Sequence, residues 1–98
     1  LLARAVSDGR IERGVLICGS GIGMSMTANR HPGVRAALCH DAYTAEMARR
    51  HNDANVLCIG ERTTGPGVAD QIVRVFFETD FEGGRHQRRV AKIERETS

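Results

Sequence analysis

The chain reads as an α/β domain built on a parallel sheet, and three observations predict it. Short apolar runs without polar alternation recur at residues 14–18, 34–39 and 55–59. Segments of helical periodicity separate those runs, and glycine, proline or aspartate punctuates the junctions. Strands that lack a polar face are covered on both sides, which is the signature of parallel strands joined by crossover helices. In such folds the loops after the strand C-termini hold ligands. Here those loops carry Cys18-Gly19, His40-Asp41 and Gly60-Glu61-Arg62.

Residues 1–6 read as a helix that Asp8-Gly9 closes. Residues 14–18 form the first strand and run into Gly19-Ser20-Gly21-Ile22-Gly23, then a helix to about Arg30. His31-Pro32-Gly33 breaks that helix, and residues 34–39 form the second strand. Asp41 is placed to cap a helix running through Tyr43, Met47 and Arg50. Residues 55–59 are the third strand. Gly65-Pro66 opens a helix whose Val68, Ile72, Val75 and Phe76 share one face. Glu82-Gly83-Gly84 punctuates, and residues 85–96 read as a strongly charged final helix.

Composition narrows the function classes. The 98 residues suffice for one domain, and a hydrophobic share of 41% suits a folded globule. Three Phe, one Tyr and no Trp leave little for base stacking. A net charge of +2 is too small to imply nucleic acid, although Arg85, Arg88, Arg89, Lys92 and Arg95 crowd the C-terminal end. Three cysteines without a CxxC pair argue against a disulfide framework or a cysteine-rich zinc site, and fit a reducing cytosol. No apolar run reaches membrane-spanning length, so no membrane partner is expected. The chain opens on Leu1, and upstream sequence is expected.

The most informative stretch is residues 14–23, where an apolar strand ends in a thiol and passes into alternating glycines. Glycines at a strand-to-helix turn let backbone N–H groups face inward, and the helix N-terminus adds partial positive charge. Cys18 on the rim of that cradle suits proton abstraction beside a carbonyl. Gly19, Gly21 and Gly23 lack the dinucleotide spacing, and plain tight-turn geometry is the competing reading. Cys39 and Cys58, with apolar neighbours, read as core residues. His51 closes a helix, where a histidine commonly serves only as a C-terminal cap. Arg85 and Arg89, four apart beside Gly84, suit a phosphate clamp, with a solvated basic face as the competing reading, to which Arg88, Lys92 and Arg95 are assigned. Arg62 is placed to join them. His31, His40 and His86 show no ligand spacing, and no metal site is read.

Three motifs in order, residues 14–23, Arg-His-Asn-Asp-Ala-Asn-Val-Leu at 50–57 and Phe-Glu-Gly-Gly-Arg-His-Gln-Arg-Arg-Val at 81–90, carry a resemblance to the ribose-5-phosphate isomerase B family, which includes galactose-6-phosphate isomerase subunits. The resemblance implies a Rossmann-like three-layer α/β/α sandwich, with this chain as the C-terminal two thirds and the N-terminal strands lacking. No Asp-His pair, with which relatives end their first strand, occurs here. The 14–18 strand would then neighbour the absent first strand and keep an unpaired edge.

The same resemblance implies aldose–ketose isomerisation of a phosphorylated pentose or hexose, ribose 5-phosphate first, through an enediolate and without metal or cofactor. That places the chain in the pentose phosphate pathway, in the cytoplasm, as a homodimer with shared sites. Cys18 would be the base, because Met24 stands where some relatives carry a glutamate. Gly19, Ser20, Gly21, Ile22 and Gly23 would hold the enediolate oxygens. His51 would open the sugar ring, Asn52 would bind hydroxyls, and Arg62, Arg85 and Arg89 would bind phosphate. The competing readings are a non-catalytic phosphate- or nucleotide-binding module, an inactive fragment of the isomerase, and a nucleic-acid binder using the basic helix.

Overall fold

The computed structural model describes residues 1–97, with side chains described as far as residue 94. Arg95 of the basic face lies outside the described side chains. Three strands, β1 (Gly14–Cys18), β2 (Ala36–Leu38) and β3 (Val56–Gly60), form one parallel sheet in the order β1-β3-β2. Gly14 pairs with Val56 and Cys18 with Gly60, so β1 and β3 end level. Among the described residues five helices surround them: α1 (Leu2–Ser7), α2 (Ile22–Ala28), α3 (Ala42–Asn52), α4 (Pro66–Glu78) and α5 (Arg85–Thr97).

The apolar run of β3 explains the layering. All five of its residues are buried, and its side chains alternate between two cores. Val56 and Cys58 meet Ala3, Val6, Ala28 and Val34 on one face. Leu57 and Ile59 meet Ala45, Ala48, Ile72 and Phe76 on the other. Helices therefore cover both faces, and the expected α/β sandwich with a parallel sheet is present.

Three details correct the sequence reading. Ile17 is 59% exposed, so β1 is not covered on both faces, although its place at the edge of the sheet is the expected one. The second strand is shorter than residues 34–39, because the Val34 N–H bonds His31 and the Arg35 N–H is taken by the Asn55 side chain. Val68 is exposed, leaving Ile72 and Phe76 to anchor α4. At the β2 edge the Asn29 amide bonds both the N–H and the C=O of Ala36, standing in for a neighbouring strand.

Local signals set the helix starts. Asp41 accepts the Thr44 N–H at 2.8 Å while Thr44 Oγ1 reaches back to the Asp41 N–H, a reciprocal cap. Pro66 sits in the first turn of α4, where its missing N–H costs nothing. Connectivity then fixes direction. A crossover helix starts near the C-terminal edge of the sheet and finishes near the N-terminal edge. With 11 residues, α3 carries its last turn ~16 Å from its first.

Candidate active site

The predicted site residues fall into two groups at opposite ends of the sheet. At the C-terminal edge, β1 delivers Cys18 half-buried at the start of the glycine turn, and the Gly21 N–H lies 3.2 Å from its sulfur. Gly21 has φ +82, and a Cβ there would stand 2.4 Å from Leu38 Cδ1, so only glycine serves. Ser20 Oγ accepts the Ile22 N–H at 3.3 Å. The next amides in the first turn of α2, Gly23 and Met24, have no acceptor within the helix.

The loop after β3 is tied to this turn. Glu61 and Arg62 donate their N–H groups to Cys18 and Gly19 carbonyls at 2.7 and 3.0 Å. A Cβ on Gly19 would come within 3.8 Å of Arg62 Cδ and Nε, so the Arg62 side chain lies along the cradle. Gly60 is a second obligatory glycine, since its Cβ would meet the Ser20 carbonyl at 2.6 Å. The cysteines divide as their positions suggest. Burial pushes the Cys39 and Cys58 thiols up to about 11, which keeps both protonated and inert.

His51 and Asn52, by contrast, end α3 and lie at the N-terminal edge. Arg85 and Arg89 come to the same end, because α5 begins there: the Glu82 N–H bonds the Arg50 carbonyl at 3.0 Å. His86 stacks on His51 with ring centroids 4.1 Å apart. Glu82 Oε1 stands 3.4 Å from His86 Nε2. Burial, then His51 and Arg85, hold the His86 imidazole below its ordinary proton affinity, against an opposing pull from Glu82. One chain therefore does not bring Cys18 and His51 together.

Beneath this cluster sits an ion network that sequence reading missed. Arg49, 3% exposed, bonds the Asp53 carboxylate at 2.8 Å and the Ala54 and Thr79 carbonyls at 2.7 and 2.9 Å. Arg35 reaches Asp53 and Glu94. Asp53 adopts φ +49, a left-handed turn that its doubly paired carboxylate holds. The i,i+4 spacing of Arg49 and Asp53 was a signal available in the sequence; the contact with Arg35 was not. His86 was likewise invisible as a neighbour of His51, 35 positions away in the chain.

Residues 1–93 match the model of the ribose/galactose isomerase family. A D-erythrulose-4-phosphate isomerase of Pectobacterium atrosepticum is 47% identical over 92 residues, covering 94% of this chain and 60% of that relative. A ribose-5-phosphate isomerase B of Escherichia coli is 46% identical, with 94% and 62% covered. The structure of the type B ribose 5-phosphate isomerase from Trypanosoma cruzi superposes with a TM-score of 0.95 at 57% identity, over 97% of this chain and 64% of that one. The chain thus spans somewhat under two thirds of the length of these relatives. No helix among the described residues is long and apolar enough to cross a membrane.

Proposed function

The chain belongs to the ribose/galactose isomerase family, and we propose that it interconverts an aldose phosphate and a ketose phosphate, with ribose 5-phosphate as the first substrate to test. In this reading Cys18 removes the proton from C2 of the open-chain aldose and returns it to C1. The N–H groups from Gly19 to Gly23 take up the charge that develops on oxygen, assisted by Ser20. His51 donates the proton that opens the ring, and Asn52 binds hydroxyls. Arg62, Arg85 and Arg89 bind phosphate.

The observation that carries the reading is the half-buried Cys18 sulfur, held by the Gly21 N–H where the first turn of α2 begins. The separation of Cys18 from His51 favours a homodimer in which one protomer supplies the glycine turn and its partner supplies α3 and α5. That these two relatives are sugar-phosphate isomerases supports the substrate class.

The test is deuterium incorporation from solvent into ribose 5-phosphate. Exchange and turnover by the chain, both lost in Cys18→Ala with the sugar phosphate still bound, is the expected result. Binding without any exchange in the unaltered chain would instead favour a phosphate-binding module. Full activity in Cys18→Ala would remove the mechanism.

A further inference from the structure

The cluster at the N-terminal edge holds more than the isomerase reading uses. His51, Glu82 and His86 each offer one ligand atom, and these atoms lie within 4.8 Å of one another. His86 is 3% exposed, and neither ring nitrogen has a hydrogen-bond partner among the described residues. A buried imidazole with no partner is rare, because each lost bond leaves a desolvation cost in place. Its nitrogens lie beside a carboxylate and a second imidazole, so the missing partner is one that such groups share.

We propose that His51, Glu82 and His86 form a binding site for a borderline-soft divalent cation of the Zn²⁺ type. Two imidazole nitrogens and a carboxylate oxygen are a ligand set that zinc accepts, with a fourth position left to water. Magnesium and calcium, which demand oxygen ligands, are excluded by the same set. His51 is half-buried and Glu82 exposed, so the ion has an entry path. Both ligands are held in place from outside the cluster: the Glu82 main chain is pinned to the Arg50 carbonyl, and His51 belongs to the last turn of α3.

The geometry also sets two costs. The rings lie within 15° of parallel, so they cannot both aim a lone pair at one ion until the more accessible His51 ring turns. Arg50 lies 3.6 Å from the far oxygen of Glu82, and Arg85 and Arg89 add positive charge around His86. These charges weaken the site for any cation. The binding is independent of the isomerase reading. Its consequence is not: an ion on the His51 imidazole would compete with the proton that this residue donates for ring opening and inhibit turnover.

Zinc titration of the chain without substrate, followed through the imidazole ¹⁵N resonances, tests this. The expected result is saturation at one ion per chain, with His51 and His86 shifting together while His31 and His40 stay still. Magnesium at the same concentration leaves all four unmoved. Glu82→Gln, a surface change that preserves the fold, should weaken zinc by about tenfold or more, and His86→Gln should abolish the paired shift. Zinc affinity unchanged in Glu82→Gln, or shifts confined to the surroundings of Cys18, would overturn the proposal. Because no sugar is present, failure here leaves the isomerase reading standing, and absence of turnover leaves this site standing.

Discussion

The two ends of the sheet are built from different materials. The C-terminal edge is made of main chain: a glycine turn, a loop hydrogen-bonded to it, and one thiol held by an amide. The N-terminal edge is made of long side chains, with Arg35, Arg49, Asp53 and Glu94 in one network and His51, Glu82 and His86 above it. Backbone can approach a ligand closely and carry no net charge, which suits a site for transient charge on oxygen. Side-chain networks can bury charge and tune protonation, which suits phosphate binding and proton delivery. In the proposed isomerase reading the difference teaches that neither end is complete chemistry by itself.

The largest expected effect tests whether the ends cooperate across two molecules. Cys18→Ala and His51→Ala should each lose activity by about a hundredfold or more. Mixed, dissociated and reassociated, they should recover about a quarter of the original rate, because half of random dimers are mixed and each has one intact site. No recovery would mean that the two ends serve separate purposes.

Next comes the network. Asp53→Ala strips the buried Arg49 guanidinium of its carboxylate and should cost about 3 kcal/mol in urea denaturation. At the other end, Gly60→Ala drives a methyl into the Ser20 carbonyl and should cost about 2 kcal/mol. It should also displace the Cys18 turn, read as weakened sugar-phosphate binding. If Gly60→Ala proved harmless while Asp53→Ala unfolded the chain, the glycine end would be the adaptable one.

The smallest effect is a pH dependence confined to the histidine end. The His86 imidazole takes a proton less readily folded than unfolded, so the unfolded chain binds the extra proton. Stability is then complete above the ordinary histidine value of 6.5 and declines as pH falls below it toward the lower folded value. The thermal midpoint should fall on acidification through that window, and His86→Gln should flatten this arm. The Asp41 carboxyl, held low by the Thr44 N–H, acts only at more acidic pH.

Contiguous residues made the first end legible. Val15 to Gly23 encode a strand, a thiol and a turn in one stretch, because main-chain conformation is set within a few residues by glycine and side-chain branching. The reciprocal cap of Asp41 and Thr44 and the Pro66 start of α4 were local in the same way. Errors gathered where neighbours in space decide. Ile17 looked like core but is exposed, and the 34–39 strand lost Val34 and Arg35 to the His31 turn and the Asn55 side chain.

The amino-acid order by itself determined the parallel α/β class, the glycine turn with Cys18 at its rim, and the basic pair Arg85 and Arg89 at i,i+4 spacing. Tertiary structure alone decided that these lie at opposite ends of one sheet. It also decided that His86 meets His51, and that Arg35 and Arg49 share Asp53. The reason is range: glycine conformation and helix capping act over a few bonds, whereas burial and charge pairing act between whatever side chains the crossover helices carry across the sheet.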